Sequence, residues 1–432
     1  MFPLDLTANP IWHDAVTVGA FAVFALTYLF IAVGKLPGYH IDRAGAALLG
    51  ASLMVWLGVL SLEEAYSAID FNTITLLLGM MIIVANLRLA GFFQLLNEWV
   101  IRRARYPIVL LMAVVLVSGT LSAFLVNDTI CLVMTPLVLD LTMRLKRNPI
   151  PYLLAVALSS NVGSTATITG NPQNMIIGSI SQLAYGDFAA ALSPIAATGL
   201  VMTTTLIALI YRTEFLTRTP FAIRSSQQVR FHQPVVLKSL LVTAVMVALF
   251  FAGYPIAKVA VAGGAFMLFT RRIKAHKIYK EIDWPLLVMF SGLFVVVAGF
   301  ERVALTPEVV ASVAQQHLDN VGTLSLVTAT LSNLVSNVPA VLMLKPFVAN
   351  LGDPQRAWLV VSMASTLAGN FTLVGSVANL IVAQRAQGAG ITISFWAYFK
   401  MGAPLTLQTI LFGIWWLQPP SSQKNEAHPP GF

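Results

Sequence analysis

Apolar residues run through this chain in stretches of roughly 16 to 25 positions, the length a helix needs to cross about 30 Å of hydrocarbon. Runs near residues 15–34, 44–61 and 71–93 open the sequence, and short polar connections separate them. No sustained two-residue alternation of the kind a barrel strand requires is present. The pattern predicts membrane-spanning helices.

Polar residues interrupt it in four places. Two form the tips of hairpins inside apolar segments: Asn127-Asp128-Thr129 in "FLVNDTICLVMTPLVL" and Ser336-Asn337-Val338-Pro339 in "LVSNVPAV". Two interrupt a span: "GSTATITGNPQN" from Gly163 to Asn174, and "AGNFTLVGSVAN" from Ala368 to Asn379. Gly170 and Pro172 end a helix, since proline removes a donor and clashes with the preceding turn while glycine is permissive.

These interruptions repeat. Residues Thr120–Leu141 lie without gaps over Thr330–Leu351, matching Asn127 with Asn337 and Pro136 with Pro346. Residues Ser160–Ile177 lie over Ser365–Val382, matching Thr167 with Thr372, Gly170 with Gly375 and Asn174 with Asn379. Ala68–Met80 answers Glu281–Leu293, and 40–51 answers 255–266 more faintly. The expected plan is a first repeat at 1–212, a cytoplasmic linker at 213–235, a second repeat at 236–418 and a disordered tail at 419–432. Each half holds three spans, a hairpin, an interrupted span and a final span, about ten crossings plus two hairpins. Whether the hairpins re-enter or cross, the count per half is odd, so the second half inserts upside down.

Free backbone groups at membrane depth are tolerated only where protein or a wet cavity satisfies them. The breaks and tips therefore mark a binding cavity, with a packed proline kink as the plain alternative. The expected substrate-binding set is Asn127, Thr129, Ser164, Thr165, Thr167, Gly170, Asn171, Asn174, Ser336, Asn337, Asn370, Thr372, Gly375, Ser376 and Asn379. Asp128 is the carboxylate expected deep in the bundle. It reads as a proton or cation carrier, or as an N-cap for a half-helix beginning at Thr129. Lys345 reads either as a snorkelling residue or as a counter-charge, Arg88 as snorkelling, and Asp140 as the partner of Arg144.

Composition agrees: 57% of the 432 residues are hydrophobic and 10% charged, with a mean hydropathy of +0.79. The net charge of +8 resides in loops, where basic clusters at 102–105, 144–147, 212–238 and 271–280 alternate with acidic connections. By the positive-inside rule those clusters are cytoplasmic, which places both termini outside a multi-pass cytoplasmic (inner) membrane protein. A nucleic-acid partner would need a soluble basic domain, and these loops are too short. The N-terminus lacks the basic stretch and cleavage site of a removable signal peptide. The single cysteine, Cys131, leaves no internal disulfide or cysteine-built metal site. All six histidines stand in loops or at ends, no Walker A sequence occurs, and no metal-ligand or nucleophile set converges. No enzyme, cofactor or metal is expected.

The paired tips and paired breaks resemble the ion transporter superfamily over nearly the whole chain. "FLVNDTICLVMTPLVL" and "GNPQN" are most similar to its branch of arsenite efflux permeases and sodium/proton antiporters. That resemblance implies a scaffold part and a moving transport part, with the substrate between tips and breaks, elevator-type alternating access and frequent dimerisation. Dicarboxylate carriers of the superfamily have Ser-Asn-Thr at both tips; here they are Asn-Asp-Thr and Ser-Asn-Val. Asp128, unless protonated or neutralised by a cation, would repel a dianion, whereas neutral arsenite could use the hydroxyls and amides of Thr129, Thr167, Asn337 and Thr372. The leading expectation is arsenite or antimonite export by proton antiport. The alternatives are another inorganic or carboxylate anion, sodium/proton exchange, or a channel or scaffold docking a cytosolic ATPase through the 271–280 loop.

Overall fold

A computed structural model describes residues 10–33, 41–215, 221, 231–304 and 318–419. Of the tail expected at 419–432, residues 420–432 lie outside them, as do residues 216–220 and 222–230 of the expected linker. The described residues form helices and no strands. The first half runs α1 (Pro10–Val33), α2 (Arg43–Trp56), α3 (Leu62–Ala68), α4 (Phe71–Leu89), α5 (Phe92–Arg103), α6 (Pro107–Phe124), α7 (Asn127–Arg144), α8 (Pro149–Ser164), α9 (Pro172–Ile180) and α10 (Tyr185–Ile210). After the short α11 (Arg212–Phe215), the second half runs α12 (Gln233–Phe251), α13 (Ile256–Leu268), α14 (Ala275–Tyr279), α15 (Trp284–Ala304), α16 (Val321–Val335), α17 (Asn337–Val348), α18 (Pro354–Ala368), α19 (Val377–Gly388) and α20 (Phe395–Leu417). Five of these, α4, α6, α10, α12 and α15, are long and apolar enough by themselves to cross a membrane.

Two spans end sooner than the apolar runs suggest. The run at 44–61 stops as helix at Trp56, because Gly58 follows with φ of +72°. The run at 71–93 stops at Leu89, because Gly91 turns left-handed at φ +86° and starts α5, which ends in Arg102 and Arg103. Hydropathy does not register a turn that costs one glycine.

The spans of the two halves pack reciprocally. α2 lies along α15 and α4 along α13, so each half's second span meets the other half's third. Likewise α1 packs on α2 and α15 while α12 packs on α13 and α4. Contact is backbone to backbone: a Cβ on Gly79 would lie 2.5 Å from the Ala260 carbonyl, and one on Gly292 would lie 2.7 Å from that of Ala47. Small residues let helices approach this closely in a medium where the hydrophobic effect drives no association. The exchange makes Ala47 the counterpart of Ala260, two positions from the faint alignment of 40–51 with 255–266. Gly79→Leu is expected to lower stability by about 1–3 kcal/mol through overpacking, read as a lower midpoint of thermal unfolding in detergent.

Ion pairs follow the same exchange. Arg88, in the last turn of α4, pairs with Glu281 ahead of α15 at 2.5 Å; Arg302, in the last turn of α15, pairs with Glu64 of α3 at 2.6 Å. Arg88 is therefore an inter-half partner. Asp140 pairs with Arg144 at 2.7 Å, as the four-residue spacing predicts.

The hairpins form a second layer. α6 and α7 pack on α8, and α16 and α17 pack on α18. α19 packs on α7 and α9 on α17, so each half-helix after a break leans on the other half's hairpin. This crossing brings both tips and both breaks together.

Candidate functional site

Each break is held by its own side chains. α8 ends at Ser164, a single 3-10 turn covers Ile168–Gly170, and Asn171 caps α9 by accepting the Asn174 N–H at 2.9 Å. In the other half Ser376 caps α19 through the Ala378 N–H at 3.3 Å. Interrupting a helix frees carbonyls that lipid cannot satisfy. Asn174 Nδ2 donates to the carbonyls of Ser164 and Thr167 at 3.1 and 3.0 Å. Asn379 Nδ2 donates to those of Gly369 and Thr372, the same positions in the repeat, at 2.7 and 3.2 Å. Gly170 leaves room for this fold-back, since a Cβ there would stand 2.1 Å from the Ser164 oxygen.

The breaks are also bolted to one another. Asn161 Nδ2 donates to Asn370 Oδ1 at 2.8 Å and to Asn379 Oδ1 at 3.0 Å, while its Oδ1 accepts from Asn127 at 3.0 Å and Ser376 at 3.2 Å. Thr366, its counterpart in the repeat, accepts from Asn171 and Gln173, both at 3.2 Å, and donates to Asn174 Oδ1 at 3.4 Å. Each residue thus stands before its own break and grips the other. Ser160 adds a link to the first tip by donating to the Asn127 carbonyl at 3.1 Å.

Both tips present bare helix ends. α7 begins at Asn127 and α17 at Asn337, and neither has a side-chain cap. Uncapped N-termini offer N–H donors and a positive dipole end to a ligand. Ser336 reaches the second tip with φ of +80°, a conformation non-glycine residues seldom adopt. Ser332 donates to Asn337 Oδ1 at 2.9 Å, whereas the buried Asn127 Oδ1 has no partner among the described residues.

Between the tips lies a cleft of about 40 Å³. Its polar lining is Arg43, Asn127, Asp128, Gln173, Ser336, Asn337 and Ser376, faced by Leu286, Met289, Phe290 and Leu293 of α15. A second cleft of about 50 Å³ adjoins it, lined by Arg88, Asp128, Thr129, Glu281 and Asp283. Asp128 and Leu286 are common to both clefts. Because α7 starts at Asn127, Asp128 sits inside the first turn and caps nothing. The cap reading of Asp128 is therefore withdrawn.

Of the expected substrate-binding residues, Asn127, Ser336, Asn337 and Ser376 line the first cleft and Thr129 the second. Ser164, Thr165, Thr167, Gly170, Asn171, Asn174, Asn370, Thr372, Gly375 and Asn379 build the breaks behind them. Ser164 and Thr165 donate to the Asn161 carbonyl at 2.8 and 3.3 Å, and Thr167 donates to the Ala123 carbonyl. The nearest donors for a broken turn are its own hydroxyls and amides, so these side chains are consumed by the backbone. Lys345 lies on α17 with its charge acting on Glu301, away from both clefts' described linings. Asp128 is not the one enclosed carboxyl either, since Glu98 is 6% exposed and Glu301 Oε1 is buried with no hydrogen-bond partner among the described residues. Arg43, grouped with loop charges by its position, is the first residue of α2 and lines the cleft. Asn161 and Thr366 carry no mark except that they occupy one repeat position and are both polar.

The citrate transporter family, CitMHS, matches residues 28–367. The chain is 29% identical to the silicon efflux transporter LSI3 of Oryza sativa subsp. japonica, over 91% of this chain and 96% of that protein. It is 30% identical to the uncharacterized transporter Rv2684 of Mycobacterium tuberculosis, again over 91% and 96%. A Dictyostelium discoideum transporter named arsB is 26% identical over 91% of this chain and 90% of its own. In three dimensions the chain resembles the YdaH transporter of Alcanivorax borkumensis with a TM-score of 0.57, covering 94% and 97% of the two chains at 14% identity, a likeness of fold alone. With apolar helices throughout and a family match over most of its length, the chain belongs to the CitMHS citrate transporter family of the ion transporter superfamily and is a multi-pass membrane transporter.

Proposed function

We propose that the chain exports a small uncharged metalloid hydroxide, arsenite or antimonite, in exchange for protons. The observation that carries this reading is the first cleft: about 40 Å³ of space, amides and hydroxyls at its wall, and one carboxylate at its edge. A solute of a few heavy atoms suits such a space, and a trihydroxide can donate to Asn127 Oδ1 and accept from the bare helix ends. Asp128 supplies a titratable group beside the cargo, where a buried ionisable residue is a functional candidate by default. Two relatives named for silicon efflux and arsB support the cargo class, because silicic acid is also an uncharged polyhydroxide near neutral pH.

The moving part in this account is the body of hairpins and breaks, α6–α9 and α16–α19, which Asn161 and Thr366 tie together. The reciprocally packed spans α1, α2, α4, α12, α13 and α15 form the scaffold. The halves at 1–212 and 236–418 are inverted repeats joined by the linker at 213–235, with both termini outside the inner membrane. The 12 residues of α17 rise only about 18 Å, which supports re-entry of the second hairpin. The protein works on this reading as a transporter without an ATPase, and dimerisation follows the superfamily.

A second reading, export or uptake of a carboxylate anion such as citrate, is favoured by Arg43 in the cleft together with the uncapped ends of α7 and α17. Counterflow separates the two. Vesicles holding the purified protein and preloaded with unlabelled cargo should exchange arsenite at least tenfold faster than citrate or sulfate. The reverse preference establishes the carboxylate reading on the same fold.

A further inference from the structure

Two charges converge on Asp128 from helices outside its own hairpin. Arg43 stands at the start of α2 and shares the first cleft with Asp128; Asp283 stands ahead of α15 and shares the second. Arg43 attracts a charge on Asp128 and Asp283 repels it. The other charged residues lining the second cleft are Arg88 and Glu281, which are already paired with each other. On its own helix the nearest titratable neighbour of Asp128 is Cys131, a buried thiol. Neither Arg43 nor Asp128 makes an ion pair within 4.0 Å among the described residues, so the two can separate without breaking a bonded bridge.

We propose that Arg43 is a counter-charge for Asp128 that belongs to one conformation only. It rides on the paired spans while Asp128 rides on the hairpin body, an inference that rests on the division of moving and fixed parts proposed above. A carboxylate carried through a membrane with neither a counter-charge nor hydrogen-bond donors is costly; the cargo's hydroxyls supply those donors on the loaded crossing, and the empty carrier returns without them. Once the cargo has left on the far side, Asp128, away from Arg43, must take a proton from the solution there before it returns. On its return Arg43 displaces the proton to the solution on the near side. Only one O–H bond forms and breaks, and no electron moves. Arg43 is thus a positioning residue for coupling, and it makes proton transfer obligatory through Asp128.

The test needs no substrate. A hydrophobic carbodiimide modifies a protonated carboxyl, and peptide mass spectrometry reads modification at Asp128 across a pH series in membrane vesicles holding the full chain. Arg43→Gln should move the half-modification pH upward by about one unit or more, since removal of an opposite charge favours the neutral acid. Arg43→Lys should keep the wild-type midpoint to within a few tenths. Asp283→Asn, which removes a like charge, should move the midpoint downward, and Arg43→Met carries the test if the Gln variant fails to fold. A wild-type midpoint in folded Arg43→Gln or Arg43→Met overturns the proposal. Shifted midpoints in a protein that moves no arsenite would uphold the counter-charge and sink the cargo assignment, so the two claims fail separately.

Discussion

Asp128→Asn should leave a folded protein that still exchanges cargo but no longer accumulates it against a gradient. Asparagine keeps the shape and the cleft amides while removing the group that titrates, and the α7 start does not depend on Asp128 as a cap. Counterflow, which needs no net proton movement, should persist within a few-fold of wild type. Gradient-driven accumulation should fall by roughly tenfold to a hundredfold, the range that a coupling free energy of about 1–3 kcal/mol commands. Parallel measurement of both rates in the same vesicles checks this. A variant that accumulates cargo at the wild-type rate would remove Asp128 from coupling and leave it as a charge of the cleft wall.

The second large effect is expected from Asn161→Leu. Asn161 is 1% exposed and serves Asn127, Asn370, Ser376 and Asn379 at once. Leucine of similar size fills the space but strands those partners, and each buried group left unsatisfied costs about 1–3 kcal/mol. Asn370 and Asn379 retain bonds to the Leu158, Gly369 and Thr372 carbonyls through their Nδ2 groups. The stranded atoms are therefore mainly Asn127 Nδ2 and the two Oδ1 acceptors. A net loss on the order of 3–5 kcal/mol follows. Thr366→Val should cost less, since Asn171 and Asn174 keep bonds to Ser164. Thermal unfolding in detergent orders the two variants; a melting point for Asn161→Leu at or above that of Thr366→Val would contradict the bolt between the breaks.

Hydropathy and repetition reveal much of this architecture because the medium enforces them. An apolar run must be helix in lipid, and a cluster such as Thr165 to Asn174 inside one stands out against its surroundings. Asn127, Ser336, Asn337 and Ser376 were legible in that way, as the polar points of otherwise apolar elements. What a polar side chain does after breaking the helix was not. Asn174 and Asn379 look like ligands for a solute, yet their amides close the carbonyls of their own breaks, a demand set by geometry that appears only when the chain folds back.

Arg43 was hidden for another reason. It adjoins a loop, so a one-dimensional reading groups it with surface charge, and only the short α2 packed against α15 brings it to Asp128's cleft. The partner of Arg88 was hidden likewise, since Glu281 comes from the other half. Asn161 lies within an unbroken helical stretch beside Ser159 and Ser160, and its role depends on three residues more than two hundred positions away. Reciprocal contacts between repeats are invisible in either repeat alone.

The central claim, that an uncharged metalloid hydroxide leaves in exchange for a proton, is tested most directly by proton flux driven by cargo alone. Everted vesicles holding the purified protein and a luminal pH dye would receive external arsenite with no imposed gradient. Alkalinisation of the lumen that is absent with Asp128→Asn is the result predicted here. A silent dye with arsenite, together with proton movement on adding citrate or sodium, would contradict it.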